Sequence, residues 1–302
     1  MTSVEVKRNK NKTKRTIIRV SIRILLVLLL ISALISIKDT YFSKKLNRPV
    51  SAANSIKKHT PKPKKNNPIV KNAVVMRNQK TDDGVKVEDA FVKDGKKTAY
   101  LTFDDGPSTT VTPKILDTLK QYNVHATFFL IGKCIEENNQ SINVVRRIYD
   151  EGNAIGNHSY SHDMRILFPN NAINVQTFMG EVDKTESILK GIFGQDFFAR
   201  PLRVPGGYMS RQHYNDPNLG KFDKAIKDDN FASIDWTAYG FDAEGRPKNY
   251  LEIFNNIKRT VGNQQKVVIL MHDTYGKEQT AKALPLVIQY LKAQGYEFKT
   301  LK

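Results

Sequence analysis

From about residue 85 onward, short apolar runs alternate with longer segments in which apolar residues recur every three to four positions. Thr98–Phe103 reads as a buried strand, as do Val124–Ile131, Ala154-Ile155, Ala199–Val204, Phe231–Trp236 and Val267–Met271. Between them lie helical patterns. One opens at Thr112-Pro113, with proline in its first turn, and runs through Ile115, Leu116 and Leu119. Others cover Ile142–Tyr149, the amphipathic stretch 171–193, and 218–228, 249–261 and 278–293. Strand and helix alternating over ~200 residues predict a parallel sheet, because each return crossover must pack a helix on it. A closed (β/α) barrel with room for fewer than eight units fits better than an open sheet. Gly106 stands alone after the first strand, so no dinucleotide-binding glycine fingerprint is present there.

The first 84 residues follow different rules. Residues 1–15 are polar and basic, and Ile24–Ile37 is an uncharged apolar run. That run is short of the ~20 residues a bilayer requires. The span 16–37 suffices if Arg19 and Arg23 snorkel to the headgroups. The basic flank predicts the N-terminus inside and the remainder outside the cell. Ser36-Ile37-Lys38-Asp39 is a poor cleavage site, so a retained single-pass signal anchor is favoured over a cleaved signal peptide. Residues 38–84 read as an extended basic linker, exemplified by Thr60-Pro61-Lys62-Pro63-Lys64-Lys65. The folded domain is then 85–302.

The net charge of +18 invites a nucleic-acid reading, but residues 1–80 hold 20 Lys+Arg against 2 Asp+Glu, which accounts for all of it. The folded part is neutral, which excludes the basic stripe a nucleic-acid enzyme carries. No obligate protein partner is implied. The single cysteine, Cys134, rules out an internal disulfide framework and reads as a buried structural thiol.

In an α/β barrel the reactive groups sit on loops after the strands. Five such loops here carry polar clusters: Asp104-Asp105-Gly106-Pro107, His158-Ser159-Tyr160-Ser161-His162, Arg203-Val204-Pro205-Gly206-Gly207, Asp235-Trp236, and His272-Asp273. Each has an ordinary reading alone, as a turn, a surface arginine or a core histidine. Their joint occurrence at five strand ends points to one pocket. His158 and His162, four residues apart, can reach one cation with nitrogens suited to zinc or a similar ion. His59, His125 and His213 lie in no comparable cluster and receive no role.

These motifs resemble those of the polysaccharide deacetylases (carbohydrate esterase family 4, the NodB-type deacetylases) over about residues 97–301. Thr102–Pro107 resembles the family's first motif, His158–His162 the second, Arg203–Gly207 the third and Leu270-Met271-His272 the fifth. The resemblance implies a deformed (β/α) barrel, a divalent metal and hydrolysis of an acetyl group. It assigns Asp105, His158 and His162 as metal ligands and Asp104 as general base, with Arg203 pairing Asp104. The Gly206 backbone N–H becomes the oxyanion donor. His272 becomes the general acid, oriented by Asp235. Zinc is the preferred ion, with cobalt, manganese and nickel as alternatives. Pro205, Tyr239, Phe241 and Leu270 are assigned to the substrate pocket.

The fourth motif departs from the pattern, because Trp236 directly follows Asp235 and the family's later tryptophan is absent. Strand alternation then predicts that Trp236 points away if Asp235 reaches His272, leaving the apolar wall to Tyr239 or Phe241. Such a wall favours a specialised wall saccharide over ordinary chitooligosaccharides. The leading substrate is N-acetylglucosamine within peptidoglycan or a linked polysaccharide. The alternatives are an acetylxylan or chitooligosaccharide deacetylase and a glycan-binding pseudoenzyme.

Overall fold

The computed structural model describes residues 84–302. The predicted basic segment, anchor and all but the last residue of the linker lie outside the described residues, as does His59. No helix among the described residues is long and apolar enough to cross a membrane.

Among the described residues, eight strands form one parallel sheet: β1 (Thr98–Gly106), β2 (Thr127–Leu130), β3 (Ala154–Asn157), β4 (Pro201–Leu202), β5 (Ala232–Ser233), β6 (Ala238–Tyr239), β7 (Lys266–His272) and β8 (Glu297–Phe298). Their order is β5-β4-β3-β2-β1-β7-β6, and β8 pairs with the start of β1. The two edge strands are consecutive pieces of one extended segment. Its first part pairs with β4 and its second with β7, so the segment Ala232–Tyr239 joins the two ends of the sheet. The amides of Ile234 and Thr237 continue this switch, bonding to Leu202 O and Val268 O. The predicted strand Phe231–Trp236 thus holds only the first of these short pairings, and the second, β6, follows beyond it. A barrel closed through so few bonds is deformed there.

Side-chain alternation sorts the strands into two faces. Leu101, Phe103, Phe128, Ile269 and Met271 point outward into the main core. There they meet Ile115 and Leu116 of helix Thr112–Tyr122, Val145 and Ile148 of Asn139–Asp150, Ile253 and Ile257 of Tyr250–Val261, and Leu284 and Leu291 of Glu278–Ala293. Burial of each such side chain contributes about 1.5–3 kcal/mol. A second cluster packs Phe178 and Val182 of helix Val175–Phe193 and Phe222 of helix Leu219–Asp228 against Leu202 and Val204. The alternate residues Tyr100, Phe129, Ile234 and Val268 fill the barrel interior, which Val87, Ala90 and Leu301 close from below.

The long amphipathic helix begins at Val175, later than its periodicity suggested. Asn174 caps it by accepting the Thr177 amide. The short strands β6 and β8 and the helix Tyr208–His213 have too few residues to show a period and were not predicted.

Candidate active site

Toward the C-terminal ends of the strands the barrel interior turns polar. Thr102 and Asp104 follow Tyr100 on the inward face of β1, and Arg203 enters beside them, fully buried. The Arg203 guanidinium donates from Nη1 to Thr102 Oγ1 at 2.7 Å and to Asp104 Oδ1 at 2.8 Å. Its Nε donates to Ile234 O at 3.0 Å. Its carbon also lies 4.1 Å from the centroid of the Phe129 ring. A buried guanidinium held at this many points fixes the rotamer of Asp104.

Beyond Asp104 the backbone kinks. Asp105 takes a left-handed conformation at φ 70, which turns its side chain from the strand axis toward the loop after β3. That loop also uses left-handed residues, Ser159 at φ 63 and His162 at φ 54. Its shape is set by side chains that sequence reading missed. Asn157 accepts the Ser159 amide, and Ser159 Oγ accepts the His162 amide. Glu181, from the helix Val175–Phe193, accepts the amides of Tyr160 and Ser161 and the Ser161 hydroxyl. An amphipathic helix offers many glutamates, so only the packing of that helix singles out Glu181.

The result is a compact three-residue cluster. Asp105, His158 and His162 each present a ligand atom, and these atoms lie within 4.8 Å of one another. Asp105 Oδ1 is 3.4 Å from His158 Nε2 and 3.4 Å from His162 Nε2. Two atoms ~2.0–2.2 Å from one ion, at tetrahedral or octahedral angles, stand roughly 2.8–3.6 Å apart, so the cluster fits a divalent metal. Asp105 Oδ1 is buried without a hydrogen-bond partner among the described residues, as a ligand atom would be in the absence of its ion. His158 Nδ1 faces Arg203 O at 2.8 Å, so Nδ1 is the donor and Nε2 turns to the cluster.

The electrostatics follow from this crowding. Burial alone would depress His158, but the carboxylates of Asp104 and Asp105 outweigh it and its pKa is raised. Burial and then the neighbouring His158 lower His162. Burial pushes Asp105 up, but the close imidazole of His158, with the charges of His162 and His272, brings it well below the usual carboxylate range.

His272 ends β7, in register with Asp104. Its orienting carboxylate is Asp242, which corrects the expectation for Asp235. Asp242 Oδ1 pairs with His272 Nδ1 at 2.9 Å, and Asp242 Oδ2 accepts the His272 amide and the Thr280 hydroxyl. Lys277 secures the loop by donating to Asp242 O. Burial opposes the charged imidazole, but the Asp242 hydrogen bond and charge prevail, helped by Asp104 and Asp105, and raise His272 to about 9. Asp235 instead accepts the Tyr208 amide at 2.9 Å and the Met209 amide at 2.6 Å, capping helix Tyr208–His213. The register supplies the reason. Tyr239 pairs with Leu270, so only residues just beyond Tyr239 are level with His272, and Asp235 lies below. Asp242 was findable as the next carboxylate past that strand, had β6 been legible.

Trp236 reverses its expectation as well. Its ring packs toward the interior cluster and meets Gly207, with Cη2 3.0 Å from where a Cβ would stand. The Arg203 guanidinium carbon is 5.8 Å from the ring centroid. With Asp235 turned to the amides, alternation sends Trp236 inward. The premise for a preference against chitooligosaccharides is thereby removed. Leu270 is buried on the inward face beside Tyr239, whereas Phe241, at φ 56, leaves the strand and packs at a tilt against Tyr239, near the Arg259 guanidinium. Pro205 is buried and Gly206 is exposed at φ 74, with Met164 Cε 3.1 Å from the position of a Cβ.

One further group supports the first loop. The Asp273 carboxylate occupies the space that a side chain on Gly106 would need, so glycine there serves close approach. Asp273 accepts from Thr112 Oγ1 at 2.6 Å, and burial pushes its carboxyl up to about 7. Cys134 is half-buried, less than predicted. Burial raises its thiol to about 11, which leaves it protonated and unreactive.

The polysaccharide deacetylase family profile matches residues 91–219. A peptidoglycan-N-acetylglucosamine deacetylase from Bacillus cereus is 37% identical over 210 residues, covering 68% of this chain and 67% of that one. The Listeria monocytogenes peptidoglycan-N-acetylglucosamine deacetylase PgdA is 32% identical over 218 residues, which are 72% of this chain but 41% of the relative. Among solved structures, a Streptococcus mutans CE4 esterase superposes with a TM-score of 0.68 at 35% identity, covering 74% of this chain and 94% of that one.

Proposed function

Because the chain belongs to the polysaccharide deacetylase family and is an enzyme of that class, we propose that it hydrolyses the N-acetyl group of N-acetylglucosamine in peptidoglycan or a peptidoglycan-linked polysaccharide, in a metal-dependent reaction. The observation that carries this reading is the convergence of three units at one barrel mouth: the Asp105/His158/His162 cluster, the Asp104–Arg203 pair and the His272–Asp242 pair. The named deacetylase relatives act on the same wall sugar.

One carboxylate and two imidazoles suit zinc best, with cobalt, manganese or nickel as substitutes, and such an ion when bound polarises the acetyl carbonyl and makes water nucleophilic at neutral pH. The chain's own groups supply the remainder. Asp104, held by Arg203, takes the proton of the attacking water. The Gly206 amide stabilises the developing oxyanion. His272, kept protonated by Asp242, gives a proton to the leaving amine. Trp236, Leu270 and Tyr239 supply apolar surface near the acetyl group. Acetate release from purified wall, with mass spectrometry of the wall fragments, tests the assignment. Fragments one acetyl lighter at N-acetylglucosamine are expected. Release from acetylxylan alone would move the enzyme to the reading suggested by its 34% identity to a bifunctional xylanase/deacetylase. Glycan binding without acetate release would make it a pseudoenzyme.

The proposed location is the cell membrane, with residues 16–37 as the anchor and the catalytic domain outside. A linker of ~45 residues spans at most about 150 Å, which confines the enzyme to nearby glycan. Protease added to intact protoplasts should release the domain, and full protection would refute this topology.

A further inference from the structure

Tyr275 lies three residues past His272, on the loop that leaves β7 at the mouth of the site. Its side chain combines two features that rarely serve structure together. The residue is 43% exposed, yet its hydroxyl is tied at two points. It donates to Glu137 Oε2 at 2.9 Å and shares a hydrogen bond with Thr109 Oγ1 at 3.2 Å. Thr109 belongs to the loop after β1, and Glu137 follows the helical turn Gly132–Ile135 beyond β2. Tyr275 therefore reaches from its own loop to two others on the rim, those after β1 and β2, and is clamped by them. A tyrosine that served only as a strut would bury its ring, and one that served only solvation would not need its hydroxyl fixed by two loops.

The clamp holds the ring in place while nearly half of the residue stays open to solvent. Beside it stands an exposed carboxylate, Glu137, with a second oxygen able to accept a hydroxyl. An apolar face bordered by hydroxyl acceptors matches a pyranose ring, which has an apolar C–H face and polar edges. Pre-fixing the ring also lowers the entropy lost when a sugar binds. We propose that Tyr275 is the stacking platform for a sugar next to the one being deacetylated, with Glu137 and Thr109 as its positioning partners. This rests on the wall-glycan reading above and adds to it a requirement for an oligosaccharide that extends past the reacting sugar.

The test is isothermal titration of the zinc-loaded full chain in detergent, carrying Asp104→Asn to stop turnover. The probes are a wall-derived tetrasaccharide of alternating N-acetylglucosamine and N-acetylmuramic acid and the single sugar N-acetylglucosamine. Adding Tyr275→Ala should weaken the tetrasaccharide roughly three- to tenfold, the size of one aromatic contact, and leave the single sugar within about twofold. Tyr275→Phe, which keeps the ring, should lose less than Ala, and so should Glu137→Gln. Unchanged tetrasaccharide affinity in Tyr275→Ala overturns the platform. Equal losses for both saccharides overturn it too, as does a parent that binds neither. Acetate release by the chain with Asp104 intact is read separately. Its presence alongside an unchanged Tyr275→Ala affinity removes the platform and keeps the deacetylase, whereas its absence removes the deacetylase whatever the binding shows.

Discussion

Asp242→Asn keeps the shape of the side chain beside His272 and removes its charge. Asp242 accepts from the imidazole, from the His272 amide and from Thr280, so a carboxamide must also turn an NH2 group against at least one donor. The paired imidazole stands at about 9, against 6.5 for an unperturbed one. That difference corresponds to ~3 kcal/mol favouring the protonated form. Without Asp242, burial pulls the imidazole down while Asp104 and Asp105 still pull it up, and it falls to about its ordinary value or lower. The sign is that of a raised base: the acid is present below its pKa and is lost as pH rises through it. In the native enzyme the alkaline limb of kcat should therefore lie near 9. In Asp242→Asn it should move to about 6.5 or below, leaving roughly one enzyme in ten with its acid at about pH 7.5. Loss of protonation alone then lowers the rate about tenfold at that pH, and misorientation of the ring lowers it further. Acetate release from wall glycan across the pH range reads the limb. Asp235→Asn is the internal control. It should leave the limb in place and cost about 1 kcal/mol of stability through a weakened helix cap. An unmoved limb in Asp242→Asn, or a moved one in Asp235→Asn, would refute the assignment.

Arg203→Met should destabilise the domain by about 3–5 kcal/mol, because it leaves Asp104 buried without its partner, and chemical denaturation measures the loss. Gly106→Ala forces a methyl group into the Asp273 carboxyl and should remove most activity while the helices, followed by circular dichroism, persist. His158→Ala should lose both bound metal and turnover, whereas Asp104→Asn keeps the metal and loses turnover. Elemental analysis beside acetate release separates the two, and a chelator should reproduce the His158→Ala result reversibly.

Local patterns alone determined much of this protein. The periods of the apolar residues placed the long helices and the central strands β1, β2 and β7, because each buries a continuous face against the main core. The five polar clusters were legible because strand ends in a parallel barrel converge, and the resemblance to the deacetylase motifs then grouped Asp105 with His158 and His162 before any distance was known. What the sequence could not carry was the register of the two-residue strands β5 and β6. A pairing that short leaves no period, and a shift of one residue moves each side chain to the opposite face. Tertiary hydrogen bonds to β4 and β7 settle that register. They turn Asp235 onto the amides of Tyr208 and Met209, send Trp236 inward and bring Asp242 level with His272. The supporting shell of Asn157, Glu181 and Asp273 was equally hidden. Glu181 and Asp273 act through space on loops far from them in the chain, which only the packed barrel brings to them, while Asn157 works within a turn too short to show a period.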